Sequence, residues 1–393
     1  MNIYKKFISN YLILSLFAAI PVFGAFPKIT PPETSRVIVT YDEDVSDSAR
    51  DSVLGNLNSK RIKRLSRAIR ADVLDGIPEK DIFKLKSDSR VVRVEKDAIA
   101  MIQARVSAQA VDTLPWGIDK IDAELVWPLG NQGDPIRVGV IDTGISSSHP
   151  DLIANIKGGI NTINSRRGWN DDNGHGSHVA GIIAALKNGS GVVGAAPSSD
   201  LYAIKVLNSS GSGYVSDIIE GIDWAIMKNL QIINMSLGTT ANLASFHDAV
   251  TRANNAGIIQ VAAAGNDGAG VIYPAAYPEV IAVTASDQSD NIASWSSRGP
   301  EVDFVAPGVN IFSTYSGKRY ATLSGTSMAA PHVVGSLALV LNSPIGTFDE
   351  NGNGKWDFSE AVAKLKVGAV DLGTVGFDNL YGWGRIDIFD SLK

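Results

Sequence analysis

The stretch Val138-Gly139-Val140-Ile141-Asp142-Thr143-Gly144 is apolar without interruption, then ends in an acid and a glycine turn. A strand with one wet face alternates apolar and polar residues. One that stays apolar is buried on both faces, as strands of a parallel sheet are. Residues 137–141, 201–207, 231–235, 258–264 and 280–284 share this character, and between them 178–186, 215–229 and 242–256 carry helical spacing. The alternation predicts an α/β domain from about residue 111 to 393: a doubly wound, mostly parallel sheet with helices on both faces. In such sheets the ligand crevice lies beyond the carboxyl ends of the strands. Asp142 stands on that edge.

Ahead of this domain, residues 26–110 read as a small α+β unit. Strands are expected at 36–41 and 91–95 and helices at 47–55 and 62–71, with 103–111 as a small, polar linker open to cleavage. Residues 1–25 have a basic start, an apolar run and small residues at Gly24 and Ala25, the layout of a secretory signal peptide. A secreted protein without a membrane anchor is expected, periplasmic if its source has two membranes. With 393 residues, 45% of them hydrophobic, there is material for a large core, and the absence of cysteine rules out disulfides.

Charge divides unevenly. Up to residue 108 there are 18 Lys and Arg against 13 Asp and Glu; from 109 onward there are 17 against 28. Either the two parts attract each other or each simply solvates its own surface. The acidic larger part lacks basic clusters, which speaks against nucleic-acid binding. No oligomerisation signal is present, so a monomer is expected.

Three further stretches carry chemistry. Asp171-Asp172-Asn173-Gly174-His175-Gly176-Ser177-His178 places an imidazole between glycines before an apolar helix. Val261-Ala262-Ala263-Ala264-Gly265-Asn266 sets an amide just past a buried strand. Ser324-Gly325-Thr326-Ser327-Met328-Ala329-Ala330-Pro331-His332 puts a hydroxyl at a helix start, where free N–H groups favour developing negative charge. Taken singly, these are a loop histidine, a strand end and a helix cap. Together, an acid, a histidine and a serine facing one crevice match the logic of a Ser-His-Asp triad.

A further motif stands apart. Asp349-Glu350-Asn351-Gly352-Asn353-Gly354-Lys355-Trp356-Asp357-Phe358-Ser359-Glu360 fits the spacing D-x-[DN]-x-[DN]-G-x₅-E of a calcium loop. Oxygens of Asp349, Asn351, Asn353, Lys355 (carbonyl) and Glu360 would converge on Ca²⁺, with a helix following over 358–366. The alternative is a plain acidic turn.

The three catalytic motifs and their order resemble the subtilisin-like serine proteases, from Leu114-Pro115-Trp116-Gly117 to Gly382-Trp383-Gly384-Arg385. The resemblance implies a serine endopeptidase acting on peptides and proteins, with Asp142 as orienting acid, His175 as base and Ser327 as nucleophile. Asn266 and the Ser327 N–H would form the oxyanion hole, and His178 would be structural. Substrate backbone would pair between Ser212-Gly213-Tyr214 and Ser236-Leu237-Gly238. The first specificity pocket would be lined by Gly238, Thr239, Ala263, Ala264, Gly265 and Asp267 and closed near Ile272. Small to medium uncharged residues are expected there, although Asp267 could instead favour a basic one. The resemblance further implies a calcium site from Asp112, Asp151, Leu186, Asn188, Ser190 and Val192. It also makes the small unit an inhibitory propeptide, removed by a cut near Ala110. A protease-like binding protein without turnover is the competing reading, and a processing protease with one partner is a third.

Overall fold

Residues 36–55, 57, 59–102, 105–107 and 114–393 are described by the computed structural model. The signal-peptide segment, Asp112 and most of the expected linker lie outside the described residues.

The small unit runs β1 (Val37–Tyr41), α1 (Asp47–Leu54), β2 (Lys60–Leu65), β3 (Ala71–Asp75), α2 (Glu79–Lys86) and β4 (Val91–Lys96). Its antiparallel sheet has the order β2-β3-β1-β4. The helix expected at 62–71 does not form: residues 62–65 belong to β2, 66–70 are the turn after it, and Ala71 begins β3. Apolar residues three apart, Ile62, Leu65 and Ala68, imitate a helical stripe. A register shift between Arg61 and Lys63 breaks the strand alternation that would have revealed β2.

Two short strands follow, β5 (Ile99–Ile102) and β6 (Arg105–Ser107), then α3 (Trp116–Lys120) and α4 (Ala123–Val126). The large domain continues with β7 (Arg137–Asp142), β8 (Ile156–Asn161), α5 (His175–Ala184), β9 (Asp200–Lys205), β10 (Ser212–Tyr214) and α6 (Val215–Met227). After these come β11 (Ile232–Met235), β12 (Leu237–Gly238), α7 (Ala244–Asn255), β13 (Ile259–Ala263), β14 (Val280–Ser286) and β15 (Val302–Pro307). A hairpin of β16 (Ile311–Tyr315) and β17 (Arg319–Ser324) leads into α8 (Thr326–Leu341), and α9 (Phe358–Gly368) and α10 (Ile388–Leu392) close the chain.

Seven strands, paired in parallel throughout, make one sheet in the order β15-β14-β13-β11-β7-β9-β8. Neighbouring residues of a central strand enter opposite layers. Val138, Val140, Ile232 and Val261 join the core with α5 and α8. Ile141, Ile233 and Ala262 join the one with α6 and α7. Two buried faces explain why these strands read as unbroken apolar runs.

The small unit docks on the second layer: Ile38, Leu65 and Val73 share an apolar cluster with Ile218, Ile222, Phe246 and Val250. Opposite charges meet at the margin. Lys63 pairs with Asp217 and Glu220, and Arg93 pairs with Asp248. Of the two readings of the charge split, attraction is the one the fold uses. The small unit also supplies the starts of two helices. Glu95 accepts from the N–H groups of Ala244 and Ser245 at 2.9 Å each, and Asp97 accepts from the N–H and hydroxyl of Ser216 at 3.1 and 2.5 Å. Neither helix has a capping side chain of its own at Tyr214 or Leu243.

Candidate active site

Three adjacent strands, β7, β11 and β13, deliver the site. Val140 lies opposite Asn234, so two residues further on these strands reach Asp142 and Ser236 side by side. On the other flank β11 pairs with β13, whose end leads to Asn266. Strands in a sheet are about 4.8 Å apart, so the parallel register alone gathers these groups on one rim.

Asp142 is fully buried. Both of its carboxylate oxygens lie 2.9 Å from Nδ1 of His175, and one also accepts from the N–H of Thr143 at 2.7 Å. An ionised carboxylate in such a place is tolerable only with partners of this kind. His175 begins α5 directly after Gly174, whose φ of +119° is costly for any side chain. Ser327 lies in the first turn of α8, and α8 packs against α5. Its hydroxyl donates to the Ser236 carbonyl at 3.0 Å, while the Ser236 hydroxyl donates to the Ser327 carbonyl at 2.8 Å. Ser236 therefore holds Ser327 from both ends. Asn266 accepts from the N–H and hydroxyl of Thr326 at 2.9 and 3.0 Å.

Two buried atoms here, His175 Nε2 and Asn266 Nδ2, find no hydrogen-bond partner among the described residues. Buried polar atoms are nearly always satisfied. Of these two, one can take a proton and the other can donate to an oxygen. His178, one turn on, also leaves one ring nitrogen, Nδ1, without a partner among the described residues, but its other nitrogen is engaged by the fold. Its Nε2 lies 3.0 Å from the Ile311 and Ala321 carbonyls, and burial lowers its pKa to about 3, which keeps it neutral.

The sequence reading missed the girder of the site. Asp171 is buried and receives five hydrogen bonds: from the Thr143 hydroxyl and the N–H groups of Asn173 and Gly174 on one oxygen, and from the N–H and hydroxyl of Ser177 on the other. It ties the loop after Asp142 to the loop before His175. Lys205 adds a second tie, donating to the Thr143 and Leu207 carbonyls and to Asp172. Nothing in Asp171-Asp172 marks which acid turns inward.

The slot between Ser212-Gly213-Tyr214 and Leu237-Gly238 is filled by the chain itself. β5 runs antiparallel to both walls, with Met101 opposite Ser212 and Gly238 and Ile102 opposite Leu237. At the expected first pocket, Ile272 stands against Gly238: a Cβ added to Gly238 would come within 2.4 Å of it. Ala263, Ala264 and Gly265 are buried beside it, and Thr239 pairs with Tyr273. Asp267 is exposed and accepts from the Ser297 hydroxyl at 3.0 Å.

The expected calcium ligands form two separate groups. Around buried Asp151, the loop 186–192 folds back: Asp151 accepts from the Val192 N–H, the Tyr320 hydroxyl and Asn188 Nδ2, its carbonyl accepts from the Leu186 N–H, and Ser190 donates to Asn188. In the other loop, Asp349 accepts from the Asn353 and Gly354 N–H groups, Asn351 from Asn353, and Asn353 from Lys355. Glu360 accepts from the Glu350 and Asp357 N–H groups and completes a capping box with Asp357 at the start of α9.

Residues 133–384 match the model of the subtilase family. The chain is 52% identical over 265 residues to a thermostable alkaline protease of Halalkalibacterium halodurans, covering 67% of this chain and 70% of that protein. It is 44% identical over 308 residues to an alkaline protease of Shouchella clausii, covering 78% and 75%. It is 46% identical over 276 residues to subtilisin Savinase of Lederbergia lenta, covering 70% and 97%.

Proposed function

The chain belongs to the subtilase family and is a subtilisin-like serine protease; from that premise we propose a secreted, self-processing, monomeric endopeptidase whose triad is Asp142, His175 and Ser327. The two buried orphan atoms, His175 Nε2 and Asn266 Nδ2, carry this reading. In the proposed cycle the Ser327 hydroxyl turns from the Ser236 carbonyl to His175 Nε2, surrenders its proton and attacks the substrate carbonyl carbon. Asp142, held on Nδ1, fixes the tautomer and stabilises the imidazolium. Asn266 Nδ2 and the Ser327 N–H meet the oxyanion, in a dry site where such bonds count for more than in water. His175 then protonates the leaving amine, and water cleaves the acyl-enzyme.

The unit ending in β5 is the proposed inhibitor, since its backbone occupies the edge a substrate would use. The first pocket would take small to medium uncharged residues. Ile272 fills the space at Gly238, which favours the smaller side chains. Secretion rests on the signal-like N-terminus; among the described residues no helix is long and apolar enough to cross a membrane.

Calcium is proposed as a structural cofactor. Among the described residues no three acidic or histidine side chains come together in a way that could hold a metal ion by themselves, so a site here would use amide and carbonyl oxygens as well. The 349–360 loop fits that demand: Gly352 and Gly354 take φ of +70° and +71°, and the side-chain oxygens of Asp349, Asn351 and Asn353 curl onto the amides of residues 353–355. At the other group, Asp151 already serves three protein donors, and the remaining ligands would be Asp112, Asn188 and the carbonyls of Leu186, Ser190 and Val192.

The test is labelling with an organophosphonate alongside hydrolysis of a denatured protein. The processed enzyme should take one adduct, on Ser327, and Ser327→Ala should lose both label and hydrolysis. A folded, processed wild type that neither labels nor hydrolyses would end the enzyme reading.

A further inference from the structure

We propose that the side-chain hydroxyl of Ser236 is a positioning group for the nucleophile: it takes over the helix hydrogen bond that Pro331 denies to the Ser327 carbonyl. The inference rests on the protease reading and adds to it a group that acts through Ser327 without touching substrate.

The need arises within α8. Ser327 is the second residue of that helix, and Pro331, four residues on, lies inside it. In a regular helix the N–H of residue 331 would donate to the carbonyl of residue 327. Proline has no N–H, and its ring crowds that same carbonyl. The residue that bears the nucleophile is therefore the one whose carbonyl loses its helical donor. Ser236 supplies another: its Oγ lies 2.8 Å from the Ser327 carbonyl oxygen, and both residues are fully buried.

Chemistry fixes the direction of this bond. A carbonyl cannot donate, so the hydrogen on Ser236 Oγ points to Ser327, and the oxygen itself then needs a donor. Asn234 provides it, with Nδ2 at 2.9 Å. Asn234 is fully buried on β11, which is paired with β7 on one side and β13 on the other. The relay from Asn234 through Ser236 to Ser327 thus ties the first turn of α8 to the middle of the sheet. The neighbouring tie, from the N–H and hydroxyl of Thr326 to Asn266, holds the oxyanion side of the turn.

The bond that the Ser327 hydroxyl makes to the Ser236 carbonyl at 3.0 Å has to break when that hydroxyl turns to His175. The bond to the Ser327 carbonyl is made to backbone and lasts through the cycle. The nucleophile can then swing by rotation about its own Cα–Cβ bond while its Cα stays in place. Near-attack geometry of this kind is where small displacements cost most.

The experiment measures peptide-ester kinetics for the processed wild type, Ser236→Ala, Pro331→Ala and the double variant. Active sites are counted by organophosphonate titration, so that unfolded molecules drop out. Ser236→Ala keeps the backbone carbonyl of residue 236. It is expected to lower kcat about thirtyfold, the scale of leaving a buried acceptor unmet, with KM changed by less than about twofold. Pro331→Ala gives the helix its N–H back, so adding Ser236→Ala to it should cost no more than about threefold. Should Ser236→Ala alone not mature, the comparison of Pro331→Ala with the double variant carries the test, and a larger loss there overturns the inference. So does a loss below about threefold in the wild-type background, the same factor in both backgrounds, or a rise in KM at constant kcat; in each case the protease reading stands. A folded wild type that neither takes the label nor hydrolyses the ester removes that reading as well.

Discussion

Asp142 presents both carboxylate oxygens to one nitrogen of His175, at equal distances of 2.9 Å. An amide in its place could offer only one acceptor and would face Nδ1 with an N–H₂ in half of its orientations. Asp142→Asn is expected to lower kcat on the order of 10⁴-fold with KM little changed, a magnitude borrowed from the family's well-known members. Steady-state kinetics on a peptide ester checks it; a loss below tenfold would mean that Asp142 does not set the tautomer.

Asp171 makes a harder demand on its chemistry, because all five of its partners are donors. Asp171→Asn turns an N–H₂ toward N–H groups in a buried place. A loss of about 2–4 kcal/mol of stability is expected, with kcat falling further than the unfolded fraction explains. Denaturant melts of a Ser327→Ala background, set beside activity of the single variant, separate the two effects. Unchanged stability would show that the two loops are held by something else.

Docking of the small unit should tighten in mild acid. Burial raises Asp97 to about 6, and Asp217 adds to the rise, while the bonds from Ser216 and the Arg36 charge act against it. An exposed aspartate titrates near 3.9. The docked state therefore binds the proton more strongly. Its advantage is complete below the free value, lost as pH rises through about 6, and flat above that. Inhibition by the released fragment is expected to be about tenfold tighter at pH 5 than at pH 7. Asp97→Asn should flatten this dependence, and an identical slope in the variant would exclude Asp97 as its source.

If Ca²⁺ occupies the 349–360 loop, a chelator should lower the melting temperature of the Ser327→Ala protein more than that of the same protein carrying Asp349→Ala. Losing one carboxylate ligand removes both charge and geometry from such a loop. Equal losses in the two proteins would leave this loop without a stabilising ion.

The central sheet was legible because its strands are buried twice over: Val138 and Val140 face one layer and Ile141 the other, so burial writes itself as a continuous apolar run. Strands at the edges gave no such signal. β8, Ile-Lys-Gly-Gly-Ile-Asn, is half-exposed and carries two glycines, and β15 ends in Pro307. β2 is hidden in the sequence because its basic side chains follow their ion partners rather than an alternation: Lys63 reaches Asp217 and Glu220 across the interface, while Arg61 and Arg64 turn to Asp51 and Asp72 within the small unit. Within the site, the reacting groups stood out by chemical type. Asp171, Thr143 and Lys205, which hold them in place, look in sequence like any acid, hydroxyl or lysine near a turn.

The borrowed starts of α6 and α7 have a consequence for the life of the enzyme. If the small unit is removed as proposed, Glu95 and Asp97 leave with it, and neither Tyr214 nor Leu243 makes a side-chain cap bond in their stead. A helix cap is worth about 1 kcal/mol, so the parted enzyme forfeits part of what guided its assembly. An enzyme of this build, once melted, should stay inactive on cooling unless the detached piece is returned to it.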